Sequence, residues 1–155
     1  MFSYKGNYIE AVVFVFYKNG KVLIENRPSN PDHTGPKANF FPSGKIDKDD
    51  HNYDEDYRTI ALKREILEEF ENKIKFKDHH YLGEVKVDPI KIHFYVYLIT
   101  DFKGSFPKYT IEKGEKFADL FWIDLNDKEK YFIYDSAFQI CDMVGSFLSK
   151  YQDIK

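Results

Sequence analysis

Six consecutive apolar residues, Ala11-Val12-Val13-Phe14-Val15-Phe16, constrain this chain more than any other stretch. A strand with one wet face alternates apolar and polar residues. A continuous β-branched and aromatic run needs cover on both faces. It predicts a strand over Tyr8 to Tyr17 inside a layered sheet. Lys18-Asn19-Gly20-Lys21 follows as a hairpin turn with Asn-Gly as its signal. Val22 to Asn26 returns as a second strand ending at Arg27. Two stretches read as helices. One is a helix over Glu55 to Glu71. The other is a last helix capped by Asp135-Ser136, with Phe138, Cys141, Val144 or Gly145, and Leu148 at helical spacing. The expectation is an α/β chain forming one domain over residues 1–155.

Composition excludes several classes. Hydrophobic residues are 43% of 155, enough to bury a core and too many for disorder. The formal net charge is −3, so no extended nucleic-acid surface is expected. One cysteine, Cys141, rules out an intramolecular disulfide and a cysteine metal cluster, and it reads as a small core residue. Met1 to Gly6 lacks the apolar run of a signal peptide, and no stretch reaches membrane-spanning length. The expected compartment is the cytoplasm. Lysine dominates the basic residues; the arginines are Arg27, Arg58 and Arg64.

The stretch Arg64-Glu65-Ile66-Leu67-Glu68-Glu69 carries the chemistry. On a helix, Leu62, Ile66 and Phe70 form an apolar row at i, i+4 spacing. Glu65, Glu68 and Glu69 share a second face within an arc of about 100°. Carboxylates so placed repel one another. Their grouping makes sense if hard cations sit against them, because magnesium takes oxygen ligands and shares its shell with substrate phosphates.

With Pro42-Ser43-Gly44-Lys45-Ile46 upstream, this segment resembles the Nudix box. That pattern reads Gly, five residues, Glu, seven residues, Arg-Glu-apolar-x-Glu-Glu-x-Gly. The helical half matches from Arg64 to Glu69. Gly44 to Arg64 is twenty positions where the family has fourteen, a six-residue insertion. Counted back from Arg64, Asp56 takes the place of the first glutamate, with Glu55 beside it. Glu71 stands at the terminal glycine, so the helix is expected to end one residue late, with Asn72 in the left-handed conformation.

The resemblance implies a Nudix-type α/β/α sandwich around a mixed sheet. It implies a metal-dependent pyrophosphohydrolase acting on a nucleoside diphosphate linked to another group, by attack of water on phosphorus. Glu65, Glu68, Glu69 and a carbonyl of Gly44, with Ser43 next in line, would hold Mg2+, with Mn2+ the alternative. Arg64 would orient the carboxylates, and Glu65 or Glu115 would take the proton of the water. Glu115, then Glu112, is the candidate for a late acid before the Phe121-Trp122-Ile123 strand. Arg27 would meet a phosphate of the substrate.

The rest of the chain adds loops and strands. Pro28 to Asn39, with its lone His33, and Asp101 to Gly114 read as loops that would set specificity. Phe40 to Pro42 reads as a short strand, and Ser43-Gly44 as a tight turn. Asp47 to Asp56 reads as an enlarged, acidic, exposed loop, with Asp54 or Asp56 capping the helix. His79 and His80 start a strand and point to opposite faces, so one metal cannot take both. Ile92 to Ile99 reads as a buried strand paired with Glu84 to Val87 through Asp88-Pro89. Tyr4, Tyr8, Phe94 and Tyr109 are the candidates for stacking on a base. The expected partner is a nucleotide-type small molecule, with no membrane, and a homodimer is left open. Two other readings remain. One is a nucleotide-binding sensor that has lost turnover. The other, ranked last, is an isoprenoid-diphosphate isomerase, which would need a catalytic cysteine that Cys141 does not match in position.

Overall fold

The covered run is the middle of the molecule. In a computed structural model describing residues 8–26, 39–112 and 114–150, β1 (Ile9–Lys18) buries every residue from Glu10 to Phe16. Its side chains alternate between two cores. Val12, Phe14 and Phe16 face one, shared with Leu62 and Ile66 of α1 (Tyr57–Glu69) and its C-cap Phe70. Ala11, Val13 and Val15 face the other, shared with Ile140, Cys141 and Val144 of α3 (Asp135–Lys150), which follows the short α2 (Lys128–Tyr131). The strand is apolar from Ala11 to Phe16 because each face meets a helix layer.

The sheet runs β6 (His80–Val87), β7 (Ile92–Ile99), β1, β2 (Lys21–Asn26), β10 (Glu115–Asp124) and β9 (Tyr109–Glu112). β1 and β7 are parallel and the other pairs antiparallel, so the sheet is mixed. The α/β/α sandwich expected from the sequence is what the chain forms. β1 and β2 pair directly only beside their turn, at Tyr17↔Val22 and Lys18↔Lys21. Beyond that, β3 (Asn39–Phe40) pairs with β2, and β4 (Ser43–Lys45) pairs with β1.

The two histidines part as predicted. His79 packs edge-on against Tyr97, and His80 against Phe147 of α3. Among the described residues no helix is long and apolar enough to cross a membrane.

Four local expectations need correction. Ser43 and Gly44 lie in a strand rather than a tight turn, and Gly44 is not at positive φ. Residues 101–114 contain β8 (Phe102–Gly104) and β9, and β8 pairs with the short β5 (Ile74–Phe76), so this stretch is not a plain loop. The segment after Asp47 folds into a 3-10 helix, Lys48–Asn52, closed by a capping box between Asp47 and Asp50. Helix α1 stops at Glu69 instead of running on. Glu71 itself takes the left-handed conformation at φ 53°, and Asn72 follows at 59°. Asn72 N–H donates to the Leu67 carbonyl and Glu71 N–H to that of Glu68, which is the Schellman closure. A glutamate here accepts backbone strain that glycine would avoid.

Candidate active site

Where β1 and β2 splay apart, a cavity of about 1120 Å³ opens. One side of it is polar: Ser43, Gly44, Lys45 and Asp47, with Arg64, Glu65, Glu68 and Glu69 of α1. Helical spacing places the three glutamates together, and the apolar row of α1 sets which way they face. Ala61, Leu62, Ile66 and Phe70 are buried against the sheet, which turns the acidic flank toward β4. β4 is held on the central strand through Ala11↔Lys45, Val12↔Gly44 and Val13↔Ser43. A Cβ built on Gly44 would stand 2.1 Å from Cδ and Oε1 of Glu65. Glycine is present for that close approach and not for a turn.

Arg64 is the hub. Its Nη1 donates to Glu65 Oε2 at 2.9 Å and to Glu68 Oε1 at 3.3 Å. Its Nη2 donates to the carbonyl of Lys45 at 3.0 Å, next to Gly44. Its Nε and Nη2 grip both oxygens of Asp50 at 2.9 Å each. Asp50 is 1% exposed. It also accepts the backbone N–H of Asp47 at 2.8 Å. A guanidinium fork on a carboxylate is a rigid arrangement that lysine cannot reproduce.

Asp50 is the residue that counting back from Arg64 missed. Counting forward from Gly44 finds it, since five residues separate Gly44 from Asp50, as the Nudix pattern has for its first acid. The six extra residues therefore lie behind that acid, between Asp50 and Arg64. Asp56 caps α1 instead, accepting from Arg58 N–H at 2.9 Å. The exposed acidic loop expected at 47–56 is thus half right. It is enlarged and acidic, but one of its acids is buried and holds the hub.

Burial pushes the Glu65 carboxyl up to about 7, the Arg64 guanidinium pulls it down, and the Glu68 charge adds to the rise. Arg64 is held above its ordinary value, mainly by its hydrogen bonds to Asp50. Among the described residues no three acidic, histidine or cysteine side chains stand as a closed metal cage. Arg64 draws Glu65 and Glu68 to one nitrogen. The donor set is nonetheless all oxygen and clustered, and a hard divalent cation suits it. Such an ion would offset both the burial and the Glu68 charge that raise Glu65.

The other predicted residues divide. Glu115 is exposed at the start of β10, between the lining residues Gly114 and Phe117, and faces Glu112 across the β9 pairing. It lies within the strand, as its first residue, and not before it as expected. Phe94 lines the cavity. Tyr8 instead hydrogen-bonds Asp88, and Tyr109 packs under Lys116, 5.5 Å from the ring centroid. Arg27, Tyr4 and the 28–38 part of the specificity loop lie outside the described residues. Cys141 is buried in α3, and burial pushes its thiol up to about 11, which suits a core residue.

No protein-family model matches the sequence, and no curated protein matches it. Solved structures do match the backbone. The E. coli ORF135 protein superposes with a TM-score of 0.68 at 21% identity, over 92% of each chain. The MutT Nudix hydrolase of Burkholderia pseudomallei gives 0.66 at 21%, over 88% of this chain and 97% of that one. An ADP compounds hydrolase gives 0.68 at 15%, over 91% of this chain and 73% of that one. At these identities it is the fold that is shared.

Proposed function

We propose that this chain, which has the fold of the Nudix hydrolases, is a divalent-metal-dependent pyrophosphohydrolase of nucleoside diphosphates linked to a further group. One observation carries the reading. Arg64 joins Asp50, Glu65, Glu68 and the Lys45 carbonyl into one network on the wall of a cavity large enough for a nucleotide. A structural helix has no need to gather its acids on a cavity wall.

Glu65, Glu68 and Glu69, with the Gly44 carbonyl, are the groups that would hold Mg2+ or Mn2+. Such an ion neutralises phosphate charge and makes bound water more acidic. Arg64, fixed by Asp50, keeps the carboxylates in register. Lys45, exposed on the cavity wall, offers a positive charge to a phosphate. Glu65, on the cavity wall in the grip of Arg64, is the first candidate to take the proton from the attacking water. Glu115, exposed at the rim, is the second. The water oxygen forms a bond to phosphorus, and the bridging anhydride P–O bond breaks. Arg27 is proposed to meet a phosphate.

Three departures from the Nudix pattern support the sensor alternative on sequence alone: the six-residue insertion, Asp56 at the counted-back acid, and Glu71. The fold accommodates each, with Asp56 capping α1 while Asp50, separated from Gly44 by five residues, holds Arg64. The insertion leaves the Asp50–Arg64 clamp in place, and Glu71 takes the left-handed conformation expected of glycine. The test is turnover of a panel of nucleoside diphosphate derivatives with Mg2+. We expect hydrolysis by the wild type and a loss of about a hundredfold or more in both Glu68→Gln and Glu69→Gln. Nucleotide binding without turnover, unchanged in the two variants, would favour the sensor.

A further inference from the structure

Asn39 opens β3 and is 1% exposed, yet nothing in the chemistry above uses it. It stands directly opposite Asn26 in the β2–β3 pairing. Its Oδ1 accepts from Asn26 Nδ2 at 2.7 Å, and its Nδ2 donates to the carbonyl of Tyr131 at 2.9 Å. A carbonyl only accepts, so Tyr131 fixes which way round the amide lies. That second bond crosses 92 positions of sequence and joins two limbs of the cavity. On one limb, Phe40 follows Asn39, lines the cavity and packs on Phe94 with ring centroids 5.4 Å apart. On the other, Tyr131 ends α2, and the connection to α3 brings Tyr134 and Ser136 into the cavity lining. The Tyr134 carbonyl accepts the N–H groups of Ala137 and Phe138, so its place is tied to the first turn of α3. Phe41 and Phe132 also meet across the two limbs, with centroids 5.2 Å apart.

Resting on the hydrolase reading above, we infer that Asn39 is a positioning residue for the substrate. Its amide sets the spacing between the β3 limb and the limb that carries Tyr134 and Ser136, and the affinity of the cavity for a nucleotide depends on that spacing. The ring contact alone does not set it, because apolar contact is non-directional and lets surfaces slide. A hydrogen bond weakens steeply with angle and distance, and a buried pair of them admits one arrangement. Asn39 is sealed from solvent and acts only through its neighbours. The acids of α1 are held separately, by Arg64, Asp50 and β4. Loss of the amide should therefore loosen nucleotide binding and spare both metal binding and the chemical step.

The test is calorimetric titration of the full chain with ADP in Mg2+ and with Mn2+ alone, beside turnover of nucleoside diphosphate derivatives. Asn39→Leu is close in volume but leaves the Tyr131 carbonyl without its donor. It should weaken ADP by about tenfold and raise KM by a similar factor, with Mn2+ binding unmoved and kcat within about twofold of wild type. Asn39→Asp at about pH 6 should recover most of the affinity, since burial keeps its carboxyl neutral and the O–H donates to Tyr131. Asn39→Ala gives a second reading if the leucine variant does not fold. A merely structural role would lower the unfolding midpoint and leave ADP affinity unmoved, which overturns the inference. So does an Asn39→Asp that binds no better than Asn39→Leu, or a loss of Mn2+ binding in step with ADP. ADP binding weakened by the variants, without any turnover, would remove the hydrolase and keep the role of Asn39. Turnover with one KM across the variants would do the reverse. A wild type that binds no nucleotide would overturn both.

Discussion

Arg58 and Arg64 sit six residues apart on the same helix, and each grips both oxygens of an aspartate. Their partners make them different. Asp56 is two residues from Arg58 and partly exposed. Asp50 is fourteen residues from Arg64 and fully buried. Arg58 spends its remaining surface on aromatic rings, lying 5.0 Å from the centroid of Tyr95, 5.5 Å from Tyr81 and 5.8 Å from Tyr57. Arg64 spends its remaining donors on Glu65, Glu68 and a backbone carbonyl. The local pair starts a helix and ties it to the sheet. The distant pair ties an inserted segment to the candidate site.

That contrast predicts the largest effect at Asp50. Asp50→Ala leaves a half-buried guanidinium without its main partner. Breaking such a pair costs roughly 3 kcal/mol, at the low end of the buried range because Arg64 keeps other contacts. Loss of a positioning partner should also lower turnover by about 10- to 100-fold. Urea unfolding and the hydrolysis assay together check this. A stable variant with wild-type turnover would mean that Asp50 merely fills the inserted segment.

A smaller effect concerns Glu65 and sharpens the same contrast by pH. Its carboxyl ionises near 7 in the folded chain, against an ordinary value of 4.5. A raised carboxyl favours the folded state while it is protonated. In protein freed of divalent ions, stability from this group is fully present below about pH 4.5 and is lost as pH rises through 7. Glu65→Gln should flatten that slope, and saturating Mg2+ should reverse it, since the ion favours the ionised form. Unfolding midpoints measured from pH 5 to 8 decide it. A wild-type curve that matches Glu65→Gln throughout would show that Arg64 fully offsets the burial. Asp56 behaves oppositely, because the Arg58 hydrogen bonds hold it below the ordinary carboxylate range.

The same divide between near and far explains what was legible beforehand. The buried run of β1, the acidic flank of α1, the parting of His79 and His80 and the Asp56 cap all follow from periodicity within a few residues. The sandwich is what the resemblance to the Nudix box implies, and the strand apolar on both faces agrees with it. Asp50 was passed over because an insertion makes the count depend on the end from which it starts, and only the fold shows which end is anchored. Gly44 reads from the sequence as a turn glycine. Its requirement comes from Glu65, twenty-one positions away, and not from its own turn. β5 and β8 are three residues each and are recognisable only once paired with each other. Glu115 shows the limit of motif distance, as its neighbours Gly114 and Phe117 reach the cavity while its own carboxylate stands at the exposed end of a strand.

The smallest effect belongs to the local pair. Asp56→Ala removes the side-chain acceptor for the Arg58 N–H at the first turn of α1, and with it the Arg58 clamp. Losing a helix cap costs about 1 kcal/mol. The exposed ion pair adds little, because water screens it. Arg58 should stay seated on its three tyrosine rings, so the helix keeps its place on the sheet. Turnover should remain within about twofold of wild type, since Asp56 does not touch the Arg64 network. Chemical unfolding and hydrolysis of the two alanine variants at Asp50 and Asp56 put the comparison in one experiment. A loss of turnover in Asp56→Ala as deep as that in Asp50→Ala would break it. The two arginines would then form one coupled unit along the helix, and the acid counted back from Arg64 would regain its part in the site.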